Sequence, residues 1–62
     1  MLTLRTMLSR LLTYEASLIR NYETYSLSIP NEEVKKTLLE LAEEHKQSHR
    51  RLKMLYKTHC KG

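Results

Sequence analysis

Apolar residues recur along the chain in alternating steps of four and three, interrupted once around the single proline. In the first half the repeat falls on Leu4, Leu8, Leu11, Glu15, Leu18, Tyr22, Tyr25 and Ile29. In the second half it falls on Val34, Leu38, Leu41, His45, Ser48, Leu52, Leu55 and His59. Because this is the heptad spacing of helices that pack against other helices, it predicts an all-α chain.

Capping residues mark where the two predicted helices begin. Thr3 is a suitable N-cap for a first helix over about residues 3–28. Pro30 cannot continue a helix, and Asn31 after it is a good N-cap for a second helix over about residues 32–59. We therefore expect residues 1–62 to form one unit, a helical hairpin with its turn at 29–31.

The spacing of the two repeats also predicts how the helices face each other. When the chain folds back at Pro30, repeat positions whose numbers sum to 63 come opposite one another, and every step of four meets a step of four. A short turn makes neighbouring helices antiparallel. A second, adjacent stripe widens the apolar surface: Leu12, Ile19, Ser26, Ala42, His49 and Tyr56. Two helices cannot enclose both stripes, so we expect a homo-oligomer, most simply a two-fold dimer forming a four-helix bundle.

Chain size supports the need for a partner. A chain of 62 residues buries a smaller fraction of its surface than a larger domain does, and it usually needs a disulfide, a metal or another chain. Cys60 is the only cysteine, which excludes an internal disulfide and fits a cytoplasmic, reducing environment. The assembly could be a dimer or a larger ring, since heptads alone do not distinguish them.

The net charge of +4 narrows the classes of partner. No apolar run approaches the roughly 18 to 20 residues of a membrane span, so no membrane insertion is expected. Residues 46–62 carry six basic side chains and no acid, whereas residues 31–45 hold five Glu and two Lys. Acidic residues near the start of a helix and basic residues near its end interact favourably with the helix dipole. No nucleic-acid recognition motif accompanies the basic end of the chain. The sequence therefore does not favour nucleic-acid binding.

Polar residues interrupt the apolar repeat at its centre. Glu15, His45 and His49 are expected to meet there, with Ser48, Tyr22 and Glu44 nearby. A buried carboxylate without a partner is costly, so Glu15 needs a pair, a proton, water or a ligand. Three explanations remain open: a Glu–His pair that sets the helix register, a metal site for zinc or iron, or a cavity filled by water or a ligand.

Two stretches carry a resemblance to a known family. Glu15 precedes Tyr22 by seven residues, and the second helix contains Leu41-Ala42-Glu43-Glu44-His45-Lys46-Gln47-Ser48. The chain thereby resembles the ferritin-like superfamily, especially half-bundles of rubrerythrin and encapsulated-ferritin type. Their second helix reads Leu/Ile-Ala-x-x-Glu-x-x-His. The resemblance covers about residues 8–56. It implies a ferritin-like bundle with Glu15 as the first-helix carboxylate ligand and Tyr22 as the aromatic beside it.

The second helix departs from the family pattern at its ligands. His45 stands where the family has Glu, Ser48 stands where it has His, and His49 comes one residue later. This set favours a single softer ion such as zinc, or no ion, over a di-iron centre. No catalytic arrangement is evident, so the sequence favours a non-enzymatic protein but leaves the question open. The predicted function is a self-associating ferritin-like protein with a Glu/His metal site; the alternative is a structural or interaction bundle without metal.

Overall fold

The computed structural model describes residues 2–60 and contains two α-helices. The first, α1, spans Leu4–Ser28, and the second, α2, spans Glu32–His59. Between them lies the turn 29–31, and the helices pack against each other as the predicted hairpin. Met1, Lys61 and Gly62, which the predicted unit 1–62 includes, lie outside the described residues.

Both helices begin at the residues whose side chains can cap them. The hydroxyl oxygen of Thr3 accepts a hydrogen bond from the backbone N–H of Thr6 at 3.1 Å. The side-chain oxygen of Asn31 accepts one from the N–H of Val34 at 3.0 Å. Each bond satisfies a donor that the first helical turn leaves unpaired. Ile29 is extended, as expected for a residue that precedes proline.

Residues of both the main repeat and the stripe beside it lie between the two helices. Leu8, Ser26 and Ala42 are the buried residues of the described part of the chain. Half-buried residues continue this contact along both helices: Leu12, Ile19, Leu38, His49, Leu52 and Tyr56. The small side chains of Ser26 and Ala42 are well suited to close approach of the helices. At the end of the hairpin opposite the turn, which we call the open end, the Arg5 guanidinium donates a hydrogen bond to the Cys60 carbonyl at 3.4 Å.

The hairpin is a rod with little interior. Its dimensions are 46 × 19 × 14 Å, and its radius of gyration is 14.3 Å. A compact domain of this length would have a radius of gyration of about 10.5 Å. No large side chain is fully enclosed in the described part of the chain. Most of the apolar surface that the repeat provides is therefore not covered by the hairpin itself.

Several exposed apolar side chains share one side of the hairpin by their helical spacing, and we call this side the apolar face. On α1 its residues recur every seven positions, with two more residues beside them. On α2 it has one residue near each end of the helix. Its members are Leu4, Met7, Leu11, Tyr14, Leu18, Tyr25, Val34 and Leu55. The repeat position Leu41 lies between them and is half-buried. Exposed apolar side chains that cluster on one side of a protein are typical of interaction sites.

Neither α1 nor α2 has a stretch that is both apolar enough and long enough to cross a membrane.

Candidate functional site

A polar pair joins the two helices at their midpoints. The Nδ1 atom of His45 lies 2.6 Å from Oε2 of Glu15, within hydrogen-bonding distance. Glu15 is the twelfth of the 25 residues of α1, and His45 is the fourteenth of the 28 residues of α2. Their side chains are only 19% and 28% exposed. The central interruption of the repeat therefore produces a direct contact between α1 and α2.

An aromatic ring covers one side of the pair. Tyr22 follows Glu15 by two helical turns, so both residues point to the same side of α1. The Tyr22 ring stacks on the His45 imidazole, with 5.4 Å between the ring centroids and 21° between the planes. The stack and the hydrogen bond hold His45 from two directions. This rigid placement is what a ligand or a register-setting residue requires.

Each member of the pair keeps one further atom that is able to bind a metal ion. Within residues 2–60, neither Oε1 of Glu15 nor Nε2 of His45 makes a hydrogen bond. A carboxylate on one imidazole nitrogen fixes the tautomer and leaves the other nitrogen able to bind a metal. When His45 is protonated instead, the same contact is an ion pair. The chemistry of the pair is thus compatible with both a metal ligand and a structural role.

His49 lies apart from this pair. It is half-buried and lines a groove with Ala16, Ile19, Arg20 and Glu23. Glu15 and Ala16 are successive residues, about 100° apart around α1, so the two histidines meet different flanks of that helix. Neither a hydrogen bond nor an ion pair joins His49 to Glu15 in the described chain. The structure therefore brings together two of the three predicted ligands.

A metal site complete in one chain is not formed. Among residues 2–60, no group of three or more His, Cys, Asp or Glu side chains lies close enough to hold an ion. Of the predicted neighbours of the site, Tyr22 contacts His45, and Ser48 is exposed but lines a groove with Glu15. Glu44 is exposed. Glu44 makes no hydrogen bond or ion pair with the part of the chain that the structure describes.

Glu15 also opens onto the apolar face. It lines an open groove of about 330 Å³ between the two helices. The other residues of this groove are Leu11, Ser48, Arg51, Leu52 and Leu55. Leu11 with Leu52 and Glu15 with Ser48 are pairs whose numbers sum to 63, so the predicted register places them correctly on one side. A chain packed on the apolar face would lie directly over Glu15.

A second polar cluster, which the apolar repeat does not predict, lies on the flank opposite the apolar face. The Lys46 ammonium lies 2.9 Å from a carboxylate oxygen of Glu23 and 3.2 Å from one of Glu43. The hydrogen bond to Glu23, and to a smaller extent the one to Glu43, raises the pKa of Lys46 above its usual 10.5. The spacing of Glu43 and Lys46 within α2 was the available signal. Glu23 was not foreseeable from the repeat because it lies beside the stripe.

Comparisons of the chain with family models, with curated proteins and with solved structures gave no match. The ferritin-like resemblance of residues 8–56 therefore stays a prediction.

Proposed function

We propose that two copies of this chain pack through their apolar faces into a ferritin-like four-helix bundle and bind one divalent metal ion, zinc or iron, at its centre. The donors are Glu15 and His45 of each copy. The observation that carries the proposal is the central Glu15–His45 pair, placed at the edge of an uncovered apolar face. The lone Cys60 supports a cytoplasmic, reducing setting for this assembly.

The need for a second copy is supported by the distribution of apolar side chains. The hairpin leaves eight large residues of the apolar face more than a third exposed and encloses few others. Burial of apolar surface is the main driving force for association. A symmetric partner would cover this face with the same residues, which is the simplest arrangement for an isologous dimer.

The donor set suits a metal only when two copies combine. One chain supplies one carboxylate and one imidazole, and two chains supply four ligands to one ion if the ion replaces the hydrogen bond between His45 and Glu15 in each chain. Zinc is commonly held by four nitrogen and oxygen ligands in a tetrahedral arrangement, and iron accepts the same donor types. A bound ion would link the two hairpins and compensate the charge of two neighbouring carboxylates. His49 lies on the other flank, so this donor set does not use it.

Elemental analysis of protein purified without chelator tests the proposal. We expect one zinc or iron per two chains in the wild type, and loss of that metal in Glu15→Ala. His49→Ala and His59→Ala are controls that each remove one imidazole and should retain the metal. Metal-free wild-type protein whose melting temperature is unchanged by zinc and by ferrous ion would contradict the proposal.

A second function is favoured by one specific observation. The Glu15–His45 hydrogen bond of 2.6 Å already pairs the two groups, and residues 2–60 contain no set of three metal ligands. A paired polar group in an apolar interface can fix helix register without any ligand. The alternative is therefore a structural or interaction bundle whose central pair binds no metal. The double substitution Glu15→Leu with His45→Leu distinguishes the two functions.

A further inference from the structure

We infer that the second copy packs on the apolar face in antiparallel orientation, with Arg51 of each chain beside Glu44 of the other. This inference rests on the proposed self-association, to which it adds the orientation of the partner and the residues that select it. It does not depend on whether a metal is bound.

The first observation is the division of charge along the rod. The half near the open end, residues 2–14 and 46–60, contains seven basic side chains and no acid. The half near the turn, residues 15–45, contains seven Glu and three basic side chains. Parallel hairpins would place two strongly basic halves together. Antiparallel hairpins place each basic half beside the acidic half of the other copy, which charge complementarity favours.

The second observation is where the division falls. The charge changes sign at the Glu15–His45 layer, and this layer is also the midpoint of both helices. A two-fold axis perpendicular to the helices at this level therefore gives the greatest overlap of the two rods. The same axis brings the two Glu15–His45 pairs to one level.

The third observation is a self-complementary pair of charges. Glu44 and Arg51 are seven residues apart on α2, so they point to the same side of that helix. That side borders the apolar face, because Arg51 lines the groove with Glu15 and Leu55. A perpendicular two-fold axis midway between them, next to Ser48, exchanges Glu44 with Arg51. Both side chains are exposed and form no ion pair within residues 2–60.

The native Cys60 allows the orientation to be measured without any substitution. It is the only cysteine of the chain, at the C-cap of α2. In an antiparallel dimer the two Cys60 residues lie at opposite ends, about 38 Å apart along the helix direction at 1.5 Å per residue. In a parallel dimer they lie at the same end, roughly 10 to 25 Å apart given helix spacings near 10 Å.

The experiment uses the full-length chain with a spin label on Cys60, in chelator, with pulsed dipolar spectroscopy and sedimentation equilibrium. We expect the long distance. We also expect Glu44→Arg and Arg51→Glu each to raise the dimer Kd about tenfold, and the double reversal to restore it to within about threefold of wild type. Arg50→Glu makes the same charge change as Arg51→Glu at the adjacent, differently directed position, and should change the Kd less than about threefold.

Two results would overturn the inference. A short Cys60–Cys60 distance means parallel hairpins. A dimer in which the double reversal is as weak as the single variants means that Glu44 and Arg51 do not meet. Either result leaves the self-association and metal binding of the proposed function intact, and elemental analysis tests those separately. A chain that is monomeric at every concentration would overturn the inference and the proposed function together. Helical circular dichroism of each variant checks that the hairpin is still folded.

Discussion

The Nδ1 atom of His45 lies 2.6 Å from Oε2 of Glu15, and this contact joins α1 and α2 at the middle of each helix. Tyr22 stacks on the same imidazole, and the adjacent groove opens onto the apolar face. Burying polar groups at the centre of an apolar repeat costs free energy, and the hydrogen bond between Glu15 and His45 offsets part of that cost. The two proposed functions differ in whether a metal ion provides the rest.

Replacing both members of the pair by leucine separates the two functions. If the pair only sets register, the variant Glu15→Leu with His45→Leu should remain dimeric. Its unfolding free energy should rise by about 1 to 4 kcal/mol, because well-packed apolar residues often stabilise a protein more than a buried polar pair does. If the pair binds metal, the stabilisation of the wild type by added zinc or ferrous ion should vanish in the double variant. Urea unfolding with and without each metal measures both effects.

The single variant Glu15→Leu is the control for that experiment. It leaves His45 without its carboxylate, so it should be less stable than the double variant. Collapse of the double variant into aggregated or unfolded protein would contradict the register hypothesis.

The apolar face can be tested by a matched pair of substitutions. Leu11 and Leu39 are 45% and 44% exposed, but only Leu11 belongs to the apolar face. Leu39 lies on the outer side of α2 beside Glu32, Lys36 and Glu40. Leu11→Glu should raise the dimer Kd about 30-fold or more, because it puts a charge in the interface. Leu39→Glu should leave the Kd within about threefold of wild type, as an exposed substitution away from the interface does.

Sedimentation equilibrium of the two variants over a range of concentrations gives the comparison. Equal weakening by both substitutions would mean that self-association uses some other surface, or that added negative charge alone disrupts it.

The helices and their caps followed from local features of the sequence. Thr3, Pro30 and Asn31 act on the backbone within a few residues, so their effect does not depend on distant parts of the chain. The antiparallel register also followed, because a three-residue turn and two heptad repeats leave few alternatives. Leu11, Glu15, Ser48 and Leu52 accordingly line one groove.

The composition of the site was less predictable. His45 and His49 are about 40° apart around α2. The line along which α1 contacts α2 can therefore pass between the two side chains. Sequence spacing places them on one face, but the packing angle decides which flank of α1 each one meets. The same limit applies to Lys46, whose partner Glu23 lies outside the repeat.

The ion pairs of Lys46 predict a specific dependence of stability on pH. Because its pKa is raised in the folded hairpin, the stabilisation is fully present below pH 10.5 and is lost as the pH rises through the folded-state value. Lys46→Gln should therefore lower the melting temperature at neutral pH, and the difference from wild type should shrink above pH 10.5. Thermal unfolding followed by circular dichroism on both sides of that pH measures the difference.

Lys53→Gln is the control, because Lys53 is exposed and has no carboxylate within ion-pair distance in residues 2–60. It should change the melting temperature little at any pH. A difference between wild type and Lys46→Gln that stays constant across this range would mean that the Glu23 and Glu43 contacts contribute nothing to stability.

The mass of the chain in solution tests the central claim most directly, since both the bundle and its site depend on a second copy. Sedimentation equilibrium of the wild-type chain, with chelator and with added zinc, should give twice the 7.4 kDa of one chain. Zinc should shift the equilibrium further towards the dimer. A mass of 7.4 kDa at every concentration, with and without zinc, would contradict the account.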